Sequence, residues 1–401
     1  MKIKINSGVA NGVVNAPPSK SYAHRLLICA SLAEGISKIQ GISDSKDMKA
    51  TLNCLASLGV PFKKDSDNVI IEGRTFEASL KTHLDCYESG STIRFFIPIA
   101  LAIGGEYELY GTERLLSRGF DVYRDICSEQ KIVFENDGRR IFVKGKLSHG
   151  TFNVRGDVSS QFISGLLFAL PLLDGDSVIN ITTELESAKY VDMTIDALKT
   201  FGIEIAKSGN SFFVKGNQKY LPTSVLVEGD MSNSAFLDAF NFLGGRVLVT
   251  GLNNNTLQPD GVYLRLFDKL KEDSPTIDVS SCPDLSPILM ALSATKNGAT
   301  FTGTRRLKIK ESDRALAMAE ELGKLGINVN VYENSVVVHK GNIKAPNESL
   351  SGHNDHRIVM ALSVICSLCG GIIDGCEAVG KSYPNFFDEI SKLGIVCEVI
   401  E

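Results

Sequence analysis

The chain has 401 residues, 43% of them hydrophobic and 22% charged, the make-up of a globular protein too long for one ordinary core. A formal net charge of −5 argues against nucleic acid as the main partner, because phosphate-backbone binders are usually basic. It leaves small anionic substrates open, since these feel only local charge.

Met1-Lys2-Ile3-Lys4-Ile5 alternates as a strand does and reads as folded protein rather than a signal peptide. The longest apolar run, Phe95 to Ile103, contains Pro98 and is far too short for a membrane span. Nine cysteines without a regular framework fit a reducing cytoplasm. Cys366 and Cys369 make a lone CxxC in an apolar helical run, which reads as packing rather than as half of a zinc site.

One unit recurs along the chain: a polar cap, an apolar helix, a Gly-bounded strand, a second helix, then one or two strands. Its first helices open near Pro18-Ser19-Lys20-Ser21, Glu88-Ser89-Gly90-Ser91, Gly156-Asp157-Val158-Ser159-Ser160, Gly229-Asp230-Met231-Ser232, Cys282-Pro283-Asp284 and Gly352-His353-Asn354-Asp355-His356. The starts lie roughly 70 residues apart, except for a shorter step from Gly229 to Cys282. Second helices end alike, at Leu58-Gly59-Val60, Phe201-Gly202-Ile203, Leu325-Gly326-Ile327 and Leu393-Gly394-Ile395, each a Gly stop before a strand. The pattern predicts an α/β protein of six βαβαββ units, three per domain. Residues 1–14 and 227–401 form one discontinuous domain and residues 15–226 an inserted one. The N-terminal strand is expected to pair with the C-terminal half.

Lys310-Glu311-Ser312-Asp313-Arg314 heads an amphipathic helix in which Ser312 is the expected N-cap and Leu316, Ala319, Leu322 and Leu325 the expected apolar stripe. Two cations crowd a helix start, where the backbone dipole disfavours positive charge by about 0.3–1 kcal/mol. Arg25, Arg94 and Arg357 follow other caps in the same way, and Lys20 and Lys381 sit beside Ser21 and Ser382. Recurring cations at helix N-termini point to an anion-rich site in the interdomain cleft. Ser159, Ser160 and Gln161 are neutral donors suited to a phosphate. Asp284 and Glu311 are carboxylates suited to moving protons. His353 and His356 lack further ligands at metal spacing, and neither a Walker loop nor GxGxxG is present, so no metal or nucleotide is expected.

Together the motifs Pro18-Ser19-Lys20-Ser21 with Arg25, Ser89-Gly90-Ser91-Thr92-Ile93-Arg94, Ser159-Ser160-Gln161-Phe162, Lys310-Glu311-Ser312-Asp313-Arg314, Asp355-His356-Arg357 and Lys381-Ser382-Tyr383-Pro384 resemble the enolpyruvyl transferase family over the whole chain. The resemblance implies a two-domain inside-out α/β barrel. It also implies transfer of the enolpyruvyl group of phosphoenolpyruvate to the 5-hydroxyl of shikimate 3-phosphate, by a cytoplasmic monomer without cofactor. It places Lys20, Ser21, Arg25, Ser159, Ser160, Gln161, Ser187, Tyr190, Asp284 and Lys310 on shikimate 3-phosphate. Lys20, Gly90, Arg118, Gln161, Arg314, Arg357 and Lys381 fall on phosphoenolpyruvate, with Asp284, Glu311 and Lys20 as the catalytic set. Glu88, where the family usually has Asn, Phe95 and Gly119, where Pro commonly follows the Arg, and Arg306, near where Asn often contacts substrate, depart from its pattern.

Overall fold

The computed structural model describes residues 1–400. Two compact units divide the chain, Pro18–Glu228 and the combination of Met1–Pro17 with Gly229–Glu401.

The unit Pro18–Glu228 carries three four-stranded sheets of one design. In the first, Ser224–Leu226 lies parallel to Gly35–Gln40, which pairs antiparallel with Asn68–Gly73, which pairs antiparallel with the edge strand Phe62–Asp65. Ser79–Asp85, Gly105–Tyr110, Arg140–Gly145 and Val133–Asn136 repeat the order, as do Thr151–Val154, Ser177–Ile181, Ser211–Val214 and Ile205–Ser208. A parallel pair needs a crossover, and a helix supplies it between the first two strands of the second and third sheets.

The other unit repeats the design twice and truncates it once. Thr276–Asp278, Ala299–Thr302, Ser335–Val338 and Val329–Val331 form a complete sheet. In the sheet of Leu350–Ser351, Gly371–Asp374 and Cys397–Ile400, the third place is filled by the N-terminal strand Lys2–Ile5. Asn11–Asn15 and Arg246–Thr250 make only a parallel pair, because the helix Tyr263–Lys269 leads directly to Thr276–Asp278 without a hairpin between. The missing hairpin explains the short step from Gly229 to Cys282, and the expected six complete βαβαββ units are therefore five complete and one shortened. First strands are also exchanged: Asn11–Asn15 precedes the helix Lys20–Leu32 but pairs beyond Met231–Phe242, while Ser224–Leu226 precedes Met231–Phe242 but pairs beyond Lys20–Leu32.

Within each unit the first helix of each repeat is buried, while second helices such as Asp121–Glu129 keep an exposed face. In Gly90–Ile103 every residue except Ser91 and Ile103 is buried, and all nine residues of Ser286–Ala294 are. A helix apolar on all sides belongs in a core. The strand Asn68–Gly73 instead alternates between buried and outward residues, as a sheet with one solvated face does.

Two local devices shape the helices near the site residues. Pro98 sits inside Gly90–Ile103 and has no N–H for the carbonyl of Arg94 four residues earlier. The buried Tyr123 hydroxyl donates to that carbonyl at 2.6 Å. Here the helix Ser160–Ala169 approaches so closely that a Cβ on Gly165 would lie 2.4 Å from the same oxygen. The second device is the stop at Gly326 (φ +85°), whose N–H bonds the Gly323 carbonyl while Ile327 N–H bonds that of Leu322, a Schellman closure that a left-handed residue permits. Gly59, Gly202 and Gly394 close their helices with the same two bonds.

Tyr123→Phe removes the hydroxyl donor to a buried carbonyl and is expected to lower unfolding free energy by roughly 1–3 kcal/mol in urea titration, with the urea slope unchanged.

Candidate active site

In the unit containing the C-terminal half, five of the expected site residues form one hydrogen-bonded cluster. Arg314 is the first residue of the helix Arg314–Lys324 and is 1% exposed. Its Nη1 donates to Asp284 Oδ1 at 2.7 Å, Nη2 to Glu311 Oε2 at 2.8 Å and Nε to Asp355 Oδ2 at 2.8 Å. Lys310 Nζ also reaches Asp284 Oδ1 at 3.3 Å, and Arg357 Nη2 reaches Asp284 Oδ2 at 3.1 Å. Lys381 Nζ donates to the Asn354 carbonyl on the loop before Asp355.

The cluster resolves the charge at this helix start. A dipole penalty below about 1 kcal/mol is small against ion pairs worth about 4 kcal/mol each at 4 Å and an effective dielectric near 20. Three carboxylates therefore hold the guanidinium where the dipole disfavours it. Ser312 is not the N-cap: Asp313 accepts from Leu316 N–H, and Ser312 Oγ donates to Asp355 instead. Leu316 is likewise outside the apolar stripe, being 57% exposed; the buried line runs through Ala315, Met318, Leu322 and Leu325.

Burial alone would raise the Asp284 carboxyl, but Arg357, Lys310 and Arg314 together hold it well below the usual carboxylate range. Burial also dominates at Lys310, and with the repulsion of Arg314 it outweighs the pull of Asp284, bringing the amine down to about 8. Asp284 is thus an anion at neutral pH, a hydrogen-bond acceptor and not an acid. Asp355 caps the helix His356–Cys369 through Arg357 N–H, and Arg314 keeps its carboxyl low against the effect of burial.

The unit Pro18–Glu228 brings its site residues into smaller groups. Lys20 opens the helix Lys20–Leu32 behind the Ser19 cap and pairs with Asp47 at 2.8 Å. Arg25 spends its donors on Thr194 Oγ1 (2.8 Å), the Ser21 carbonyl (2.7 Å) and the Tyr190 carbonyl (3.0 Å), tying this helix to Ala188–Thr200; burial lowers its guanidinium to about 10. Ser187 starts Ala188–Thr200 in a left-handed conformation, φ +57° and ψ +39°. Ser159 caps Ser160–Ala169 by accepting from Gln161 N–H. The Gln161 amide is held between Ser91 Oγ (2.9 Å) and Arg94 Nη1 (2.7 Å). A Cβ on Gly90 would come within 2.9 Å of Arg118 Nη1, so glycine there leaves room for that guanidinium.

The sequence profile described as EPSP synthase (3-phosphoshikimate 1-carboxyvinyltransferase) matches residues 6–390. The chain belongs to the EPSP synthase family. Curated relatives named 3-phosphoshikimate 1-carboxyvinyltransferase include those of Clostridium kluyveri, 42% identical over 415 residues, and Clostridium acetobutylicum, 43% identical over 416. Each alignment covers 98% of this chain and 97% of the relative. A solved EPSP synthase of Acinetobacter baumannii superposes with a TM-score of 0.80 at 20% identity, covering both chains completely. That likeness shows that the fold is the two-domain inside-out α/β barrel of EPSP synthases.

For a member of the EPSP synthase family, three residues outside the substrate-binding and catalytic assignments stand out. Asp355 is the third carboxylate on Arg314, and its place as a helix cap before Arg357 was the available signal. Arg94 holds Gln161 and donates to the Arg118 carbonyl at 3.0 Å, while stacking against Phe120 and Phe162. Asp260 is buried in a short turn and accepts from Ser232 Oγ; burial, then Asp284, push its carboxyl up to about 7. Nothing in the local sequence marks it.

Arg314→Met leaves Asp284, Glu311 and Asp355 without their shared cation. Unfolding free energy at pH 7 is expected to fall by roughly 3–5 kcal/mol in a denaturant titration.

Proposed function

We propose that this protein is a 3-phosphoshikimate 1-carboxyvinyltransferase, moving the enolpyruvyl group of phosphoenolpyruvate to the 5-hydroxyl of shikimate 3-phosphate and releasing phosphate. The observation that carries the reading is the Asp284–Glu311–Arg314 cluster with Lys310 and Arg357, in a chain that aligns end to end with relatives of that name. We further infer that the protein works in the cytoplasm as a monomer on these two small molecules.

Each substrate carries a carboxylate and a phosphate, so many cations must gather. Lys20, Gly90, Arg118, Gln161, Arg314, Arg357 and Lys381 are assigned to phosphoenolpyruvate. Lys20, Ser21, Arg25, Ser159, Ser160, Gln161, Ser187, Tyr190, Asp284 and Lys310 are assigned to shikimate 3-phosphate. Arg25 already bonds three protein oxygens, which makes it as much a brace for Ser21 and Tyr190 as a ligand.

The reaction is an addition followed by an elimination. The 5-hydroxyl oxygen attacks C2 of phosphoenolpyruvate, its proton leaves to a base, and C3 gains a proton, giving a tetrahedral adduct. C3 then loses a proton as the bond from C2 to the phosphate oxygen breaks, which restores the C2–C3 double bond, now in an enol ether, and releases phosphate. Asp284, ionised by its cations, accepts the hydrogen bond of the 5-hydroxyl and aims the oxygen. Glu311, bound to Arg314 from the same side chain cluster, exchanges the proton at C3, and Lys20 assists at the departing phosphate.

Two measurements test this. Glu311→Gln should lower kcat by about 100-fold or more with KM values changed little, because the interaction is made in the transition state; near-wild-type phosphate release would remove Glu311 from the chemistry. Lys310 is a cation only below about 8, so kcat/KM for shikimate 3-phosphate should fall as pH rises through that value. Lys310→Arg should move the decline to higher pH, and an unmoved decline would assign it to another group.

A further inference from the structure

The loop Ser351–Asp355 delivers three parts of the cluster: the Asp355 carboxylate, the start of the helix bearing Arg357, and the Asn354 carbonyl that takes Lys381. It does so in a disfavoured shape. His353 and Asn354 are consecutive non-glycine residues with φ of +47° and +50°. Such conformations are strained and persist only where the surroundings impose them.

The helix Arg314–Lys324 supplies that restraint from both of its ends. At the first turn Arg314 binds Asp355. At the last, the fully buried Glu321 grips the other side of the loop: Oε2 accepts from Ser351 N–H at 2.8 Å, and Oε1 meets His353 Nε2 at 2.8 Å. The His353 backbone N–H closes a further bond to Ser351 Oγ at 3.1 Å. The charged groups facing the imidazole are Glu321, Glu320 at 4.0 Å and Lys324, which itself pairs with Glu321 at 3.0 Å.

We propose that Glu321 and His353 are positioning residues for the phosphoenolpyruvate side of the site, clamping the loop so that Arg357 and Lys381 keep their places. The proposal rests on the functional reading above. His353 touches no assigned substrate ligand, so it acts only through the loop. The carboxylates beside it, the hydrogen bond to Glu321 first, also hold its imidazolium above the usual histidine range, strengthening the clamp near neutral pH.

The clamp is tested by phosphate-release kinetics on His353→Ala, His353→Gln and Glu321→Gln. His353→Ala should lower kcat/KM for phosphoenolpyruvate by roughly ten- to a hundred-fold while KM for shikimate 3-phosphate stays within about two-fold, and His353→Gln, which keeps a donor, should recover most of the loss. Equal losses for both substrates, or no loss in folded His353→Ala, would overturn it. Wild-type turnover reports separately on the functional reading. The pairing itself is read by proton NMR whatever the turnover: the His353 imidazole should titrate above 6.5 in the wild type and lower in Glu321→Gln, and identical titrations would equally overturn the clamp.

Discussion

The guanidinium of Arg314 is the point on which the C-terminal half of the site depends. It is almost fully buried, and three carboxylates from distant parts of the chain, Asp284, Glu311 and Asp355, close on it. Removing two or more charges from water costs several kcal/mol each, so such a group is tolerated only where geometry and further hydrogen bonds are good. The fork of arginine meets that demand, since Nε and both Nη atoms each find an oxygen; a lysine would offer one point charge. The stability of this arrangement also fixes its chemistry. The same cations that keep Asp284 ionised leave it a hydrogen-bond acceptor with no proton to give.

The Pro18–Glu228 unit positions its residues by packing more than by charge pairing. Pro98 takes a donor out of a buried helix, Tyr123 replaces it, and Gly165 lets the neighbouring helix close in. The contact sets the spacing at which Arg94 on one helix holds Gln161 on the other. A polar side chain with its partners fixed on both ends has little rotamer freedom left to lose when a ligand arrives, which favours binding.

Much of this was legible in the sequence, because it is encoded locally. The Gly stops at Gly59, Gly202, Gly326 and Gly394 are backbone signals a few residues long, and each closes a helix as expected. The repeat followed from them. What the sequence hid was pairing over distance: nothing near residue 314 announces that residues 284 and 355 will share its charge. Ser312 and Asp313 are both capping residues, and only the pull of Asp355 on the serine hydroxyl decides between them. Leu316 fits a helical period but falls on the outer face, where an apolar residue is ordinary. The missing hairpin of the fourth unit was visible as a short interval without its cause.

The placing of Lys2–Ile5 bears on the order in which the molecule is made. This strand is synthesised well before its partners, Gly371–Asp374 and Cys397–Ile400, which lie far along the chain. Asn11–Asn15 likewise waits for Arg246–Thr250. Pro18–Glu228 has all of its strands by residue 228 and can condense during translation, as units complete in sequence do. Lys2–Ile5 must therefore be kept from wrong pairings until Cys397–Ile400 has been made. A short strand bearing Lys2 and Lys4 on its more exposed face suits that wait, since edge lysines discourage stray sheet addition.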